Sequence, residues 1–374
     1  SRDSRGNIVL ATRGANTALA QKVTAEYLTS FNLPRNVSRQ SVAKSGGFTG
    51  TGFVYDASGN LTSIVDSGWS DATTRNIYSQ SFTYNSSGQI LTHDGPRTDA
   101  TDVTTFTYYN PSGDLNTIVA PNGDITEFGL RNDLGQRTWV RSPNGDTTRF
   151  TFDTRGRLTK LVRVAGTTDS AISTYSYNVD GDLLTTTNPR GGTITLHRDA
   201  AGNIDWIMNG LGGYIEYTYD ACGNPTSEKV YDMGDNLRRE ESYTHTTKNQ
   251  LDIVTDALSH TTDFDYTDIG DISRVVNALG TVDSSYHDPL RRVIRNASAT
   301  GTADSATTKY EYDLHDNVTK ITDPDGFEYA YMYDDRDRIT YDSSAVTGVT
   351  TFSYDPADNL VSETNANGHA IAYT

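Results

Sequence analysis

Seven histidines, a dense population of aspartates and three tryptophans are the residues of this 374-residue chain that could do chemistry. A metal site would need His, Cys or carboxylates at ligand spacing, and no His-x-x-x-His or His-Glu-x-x-His run is present. His245 and His287 stand where most copies of a repeating pattern have Tyr, and His260 and His369 each stand fifteen residues after the start of a copy. A planar ring replacing Tyr on a strand is the simpler reading. There is no Gly-x-Ser-x-Gly elbow, and no Ser-His-Asp triad can be singled out from so many Ser and Asp. Glycines recur singly, as turn residues, and not as a phosphate cradle before a helix. Asp180-Gly181-Asp182, Asp232–Asp235 and Asp323–Asp325 gather carboxylates. A calcium loop, however, needs six or more converging oxygens at EF-hand or nonapeptide spacing, so solvated turns are expected. Trp69, Trp139 and Trp206 could stack on sugar rings. Trp139 and Trp206 share one repeat position, which favours a common packing slot. Cys222 is alone, so the chain has no internal disulfide framework, and in its turn it is expected to be inert. The sequence therefore predicts no catalytic residue, no metal and no cofactor.

Composition points to the elements that carry these residues. Only 35% of residues are hydrophobic, yet there are 23 Tyr and 11 Phe, which favours many short strands and tight turns over disorder or long helices. A formal net charge of −17 argues against a nucleic-acid binder. No run of 18 apolar residues and no signal peptide is found. The chain opens at Ser1 already in repeat register and reads as an internal piece of a longer protein.

The repeat is an aromatic, Asp or Asn, two variable residues, Gly, one variable residue and an aliphatic. YDASGNL at Tyr55–Leu61 is one copy, and YDACGNP and YDPADNL repeat it from Tyr219 and Tyr354. Sixteen positions start a copy: Arg2, Tyr27, Tyr55, Tyr84, Tyr109, Arg131, Phe152, Tyr177, Arg198, Tyr219, His245, Tyr266, His287, Tyr312, Tyr333 and Tyr354. These are the predicted structural anchors. The predicted turn glycines are Gly59, Gly88, Gly113, Gly135, Gly156, Gly181, Gly202, Gly223 and Gly270, with Gly6 as a further copy, and Asn249, Asp316, Asp337 and Asp358 replace Gly in four copies. Asp or Asn suits the first position of a type I turn, and Gly three places later tolerates positive φ. A type I turn followed by a left-handed residue is a common hairpin connection. Phe31 and Arg291 occupy Gly positions, so the pattern supports those two turns least.

A second turn lies between copies, marked by Gly123, Gly145, Gly191, Gly212, Gly280, Gly326 and Gly368. Turns then alternate about every ten residues along one meander of about thirty strands. From Arg131 onward the copies follow at 21, 25, 21, 21, 26, 21, 21, 25, 21 and 21 residues. The extra residues fall at Ala165–Ser173, Asp232–Glu241 and Ala297–Thr308, where longer loops are expected. Residues 1–130 form a less regular stretch and 131–374 a regular one, both within one repeat array.

This Tyr-Asp-x-x-Gly-x-Leu unit at 21-residue spacing resembles the YD repeat of RHS and teneurin-like proteins, over essentially the whole chain. The resemblance implies an all-β array of hairpins in one long spiralling antiparallel sheet that forms a hollow shell or tube wall. It also implies the function: a non-catalytic, secreted or surface-exposed shell that encapsulates a C-terminal effector or toxin. The alternative is an extracellular adhesive or fibre-forming protein that contacts cell-surface glycans or proteins. The expected partners are the rest of its own larger chain, identical subunits or an enclosed effector. No nucleic acid and no membrane span is expected. The DPxGxxG-like element and autoproteolytic site of toxin-type members are not found, since Asp355-Pro356 is another repeat anchor. Either the chain is shell wall only, or its parent processes no toxin.

Overall fold

A computed structural model of the chain describes residues 1–14, 17, 19–164, 170–302 and 305–373. It contains 32 strands, from Leu10–Arg13 to Ala370–Ala372, in one antiparallel sheet, and no helix among the described residues. The recorded pairings join sequence neighbours, as a meander of hairpins must. The all-β array predicted from the repeat is the fold observed.

The residues cluster into two units. The first comprises Ser1–Thr105, Ala120–Asn122 and Asp283–Thr374; the second comprises Phe106–Val119 and Gly123–Val282. In the second unit, the strand Tyr214–Tyr219 pairs with Pro225–Tyr231, and the register shifts between Thr218 and Tyr219. Such a bulge beside a left-handed turn residue is the signature of a type I hairpin turn with one extra residue. Tyr217 and Tyr219 share one face and Thr218 stands exposed on the other, as the period of two requires. The first unit repeats the device, for example where Phe48–Tyr55 pairs with Leu61–Trp69.

A single layer of strands leaves almost no dry core. Among the described residues only Tyr78, Leu290 and Ala297 are buried hydrophobics, and all three belong to the first unit. The buried polar residues Ser41, Thr49, Asp288, Asp334 and Asp335 lie in that unit too.

One expectation needs correction. Asp232–Glu241 is not a longer loop. Its turn is the ordinary five-residue Asp232–Asn236, and the extra residues lengthen the strand Leu237–His245 to nine. Cross-strand charge pairs, Arg239 with Glu228 and Lys229 with Glu240, favour the longer hairpin. At Ala297–Thr308, strands run to Ser298 and resume at Ala306, and residues 303–304 lie outside the described residues. At Ala165–Ser173, the strand Ser170–Tyr177 takes in the last four positions, and residues 165–169 lie outside the described residues.

The turn residues give a direct prediction. Gly202 sits at φ +90°, and a Cβ built there would meet nothing within 4 Å. Replacing Gly202 by Val therefore adds backbone strain without a steric clash, at a cost of about 1–3 kcal/mol. Gly223, at φ +85°, should respond in the same way. Thermal melts of both variants check this, and unchanged melting temperatures in both would contradict the turn geometry.

Candidate functional site

Most hairpin turns are built the same way, and the Tyr109–Asp114 turn is one residue longer. At Asp56–Asn60, the Asp56 amide donates to the Asn60 carbonyl at 2.9 Å and the Gly59 amide to the Asp56 carbonyl at 3.1 Å. Asp56 Oδ1 accepts from the amides of Ser58 and Asn60 at 2.8 and 2.9 Å. These bonds, led by the one from the Asn60 side chain, hold the carboxyl below the usual carboxylate range. The nine predicted turn glycines have φ between +75° and +111°. Asn249, Asp316, Asp337 and Asp358 adopt the same left-handed conformation, as does Arg291 at +68°. At Phe31 the turn is one residue longer, and Asn32 takes the positive φ.

The anchors face the preceding copy. The hydroxyls of Tyr55, Tyr84, Tyr177, Tyr219, Tyr266, Tyr312 and Tyr354 donate to the carbonyls of Pro34, Leu61, Leu158, Ile204, Leu251, Val293 and Ile339 at 2.6–3.0 Å. Tyr109 instead reaches Phe128 O at 2.9 Å. In the copy after Tyr109 the anchor is Arg131, and Arg137 Nη1 takes the Leu115 carbonyl at 3.2 Å. Phe152 has no hydroxyl to offer, and Tyr333 makes no bond of this kind.

One position read as variable in the sequence is not variable in chemistry. In twelve of the sixteen copies the side chain five places after the anchor pairs with the one a single place after it. All nine copies with Asp at the earlier position have Asn or Arg at the later one. Examples are Asn60 Nδ2 to Asp56 Oδ2 at 2.8 Å and Arg157 Nε to Asp153 Oδ2 at 2.7 Å. Where the earlier residue is Asn85, Asn132 or Asn178, the later one is an acceptor: Gln89, Gln136 or Asp182. The later residue also reaches the next turn. Gln136 bonds the Gly156 carbonyl, Asn224 bonds Asn249 Oδ1 and Asn317 bonds Asp337 Oδ1. The guanidinium groups of Arg157, Arg292 and Arg338 lie 4.6–4.7 Å from the ring centres of the following anchors Tyr177, Tyr312 and Tyr354, in cation–π geometry.

In the first unit a row of these turns locks onto strand ends some 270–300 residues earlier. Leu290, at 3% exposure, lies against Gly14, where a Cβ would come within 2.6 Å of its Cδ2. Arg13 bonds the Leu290 carbonyl and pairs with Asp316, which also accepts from Gln21 at 2.6 Å. His315 sits between Asp337 Oδ1 at 2.7 Å and the Gln40 carbonyl at 2.8 Å. Asp335, 3% exposed, accepts from Ser41 Oγ at 2.8 Å, from the Val42 amide at 2.9 Å and from the Trp69 amide at 2.8 Å. Its own amide donates to Trp69 O at 2.9 Å. The turns Asp313–Asn317 and Asp334–Arg338 thus each fit between two loops that join earlier hairpins, which are second turns. This seam was invisible in the sequence, because Asp335 occupies a variable repeat position and its partners are not local.

Trp69 is part of the seam, with the Lys44 ammonium 3.8 Å from its ring centre. Trp139 lies over Gly129, and Trp206 stacks on His197 at 5.2 Å. Among the described residues, no group of three or more His, Cys, Asp or Glu is placed to hold a metal ion.

The seam and turn groups set a pH window. Burial pushes the Asp288, Asp316 and Asp337 carboxyls up. Bonds from Arg292 to Asp288, from Gln21 and Arg13 to Asp316, and from Asn317 and Arg39 to Asp337 outweigh it, and all three lie below their ordinary values. Depressed carboxyls stabilise the fold above the unfolded pKa of about 4 and lose that contribution as pH falls through the folded value. Burial raises the hydroxyls of Tyr55, Tyr84, Tyr219, Tyr312 and Tyr354. A raised phenol stabilises fully below the unfolded pKa of about 10 and loses its contribution above it. Stability should therefore be flat between about pH 5 and 9 and fall on both sides. Melting temperatures across a pH series, read with tyrosinate absorbance, check this; a melting temperature that rises on acidification below about pH 4 would contradict it.

Comparison with known proteins places this geometry. The family model of the teneurin YD-shell matches residues 28–261, and the RHS repeat model matches 296–328 and 333–370. No curated protein matches the sequence. Among solved structures, the Photorhabdus luminescens Tc holotoxin pore aligns with a TM-score of 0.79 at 14% identity, over 99% of this chain and 22% of that one. The TcdB2–TccC3 crystal structure aligns with 0.65 at 13% identity, over 100% and 24%. The same pair without its hypervariable C-terminal region aligns with 0.62 at 14% identity, over 95% and 22%. The chain thus spans less than a quarter of the length of these structural relatives.

Proposed function

The chain belongs to the teneurin YD-shell family, and from that premise we propose that it is a length of non-catalytic shell wall, from a secreted or surface-exposed protein that encloses a C-terminal effector. The seam is the observation that carries this reading. A one-layer sheet with almost no hydrophobic core gains rigidity where later turns lock between earlier ones through satisfied polar bonds. A wall built this way separates two spaces without needing a thick interior. The anchor tyrosines and turn glycines are, in this proposal, structural parts of that wall. A relative crystallised without a hypervariable C-terminal region supports a variable effector as the enclosed partner.

Electron microscopy of the full-length protein from its native source tests the proposal. Closed hollow particles with internal density are expected. Extended tubes or fibres would replace encapsulation with the adhesive reading.

A further inference from the structure

The sequence holds five Asn-x-Ser/Thr triplets, the acceptor pattern for an N-linked sugar: Asn36-Val37-Ser38, Asn60-Leu61-Thr62, Asn85-Ser86-Ser87, Asn296-Ala297-Ser298 and Asn317-Val318-Thr319. A bulky, hydrophilic sugar suits an asparagine that stands free in solvent. All five asparagines are instead half-buried. Asn36 and Asn296 lie within the strands Pro34–Gln40 and Val293–Ser298. Asn60, Asn85 and Asn317 clip hairpin turns through their carboxamides.

Asn317 decides the matter. A carboxamide nitrogen carries two hydrogens. Asn317 Nδ2 donates to Asp313 Oδ2 at 3.0 Å, which clips its own turn, and to Asp337 Oδ1 at 3.1 Å, which ties that turn to the next. Asp337 Oδ1 is also the oxygen beside His315, whose other ring nitrogen meets the Gln40 carbonyl. The second bond is thus part of the seam. Glycosyl transfer joins Nδ2 to the anomeric carbon of a lipid-linked oligosaccharide; the lipid diphosphate departs and one N–H proton is lost. A modified Asn317 has one hydrogen left for two acceptors. It also carries a sugar where the turn Asp313–Asn317 must enter between earlier loops. Asn60 and Asn85 use one hydrogen each, to Asp56 Oδ2 and Gln89 Oε1, both at 2.8 Å.

We propose that Asn317 stays unmodified in the mature protein, and that the chain folds and closes its seam without first meeting, unfolded, an N-glycosylating enzyme. Folding hides the nitrogen, so only the unfolded chain offers it. The repeat does not need the triplet: Arg157, Arg292 and Arg338 make the same clip to an Asp and accept no sugar. An acceptor at Asn317 is therefore harmless only on a route that lacks the enzyme or delivers the chain already folded. This goes beyond the wall reading and holds whether the wall encloses an effector or contacts cells. It constrains how such a wall leaves the cell in which it is made.

Two measurements test this. Peptide mass spectrometry of the full-length protein from its native source should find Asn317 bare; a sugar there overturns the proposal. The 374-residue chain is then directed into a secretory lumen that contains the enzyme. It carries Ser38→Ala, Thr62→Ala, Ser87→Ala and Ser298→Ala, so that Asn317 is the acceptor left, and the same chain from bacterial cytosol must first melt like the parent. In the lumen, Asn317 should become modified. The amides of His315 and Asn317, which Asp313 Oδ1 holds, should then exchange at least about tenfold faster than in the cytosolic chain. Adding Thr319→Ala should restore their protection. A modified chain that keeps its protection, a chain that crosses the lumen folded with Asn317 bare, or equal loss with and without Thr319→Ala would each overturn the proposal.

Discussion

Asp335→Ala should open the seam. The carboxylate is almost wholly buried and accepts from Ser41 Oγ and the amides of Val42 and Trp69. Alanine leaves all three donors facing an apolar methyl group, and each buried donor left unmade costs about 1–3 kcal/mol. The expected loss is therefore at least about 3 kcal/mol, concentrated in the first unit. Amide hydrogen exchange is the measurement of choice, because a chain of two units need not melt in one step. Protection should fall at Ser41–Lys44 and Trp69, and the turns of the second unit should keep theirs. Asp335→Asn should fare little better, since one amide nitrogen would then point a donor at a donor. If Val42 and Trp69 exchange as slowly in the variant as in the parent, the seam does not depend on this carboxylate.

Arg338→Ala should rank close behind. Its guanidinium bonds Asp334 Oδ2 at 2.6–2.7 Å, reaches the Asp355 carbonyl at 3.1 Å and lies over the Tyr354 ring. Burial lowers the Arg338 pKa, but the Asp334 carboxylate outweighs it and the net shift is upward. Asp334 is 2% exposed, and removing its partner strands a buried charge, at about 3–5 kcal/mol. Arg157 makes the same pair with Asp153 at a more exposed turn, so Arg157→Ala should cost only about 1 kcal/mol or less. The contrast between two chemically identical pairs separates burial from bonding. Equal losses in the two variants would show that burial at the seam adds nothing.

The pair that Arg338 belongs to also shows how far the sequence could be read. Tyr354, Asp355 and the turn residue at Asp358 recur at fixed offsets, so the hairpin, its bulge and the left-handed position were legible from local rules. The residue five places after each anchor looked variable because Asn, Gln, Arg and Asp were compared as identities. Compared as donors and acceptors, they follow a single rule in every copy with Asp or Asn one place after the anchor; the copies with Leu28, Thr246 and Thr267 there fall outside it. Asp335, His315 and Gly14 are a different case. Their partners are not local, and nothing in a repeat tells one copy that it will meet another far along the chain. The longer strand at Leu237–His245 escapes the sequence for a third reason. Spacing counts the extra residues but does not say whether they enter the loop or the ladder, and Arg239 and Glu240 had cross-strand partners waiting.

The two kinds of contact constrain inheritance differently. Bonds such as Gln136 to Gly156 or Asn224 to Asn249 join one copy to the next. Duplicating a unit by unequal recombination copies both halves of such a bond, so the array can lengthen without losing any. The seam has no such tolerance. Asp335 must meet Ser41 and Trp69, and Asp316 must meet Arg13 and Gln21. One 21-residue unit gained or lost between them would present every later turn to the wrong loop. The number of units separating Trp69 from Leu290 is thus itself an inherited dimension, which lineages can change in sequence far more readily than in count.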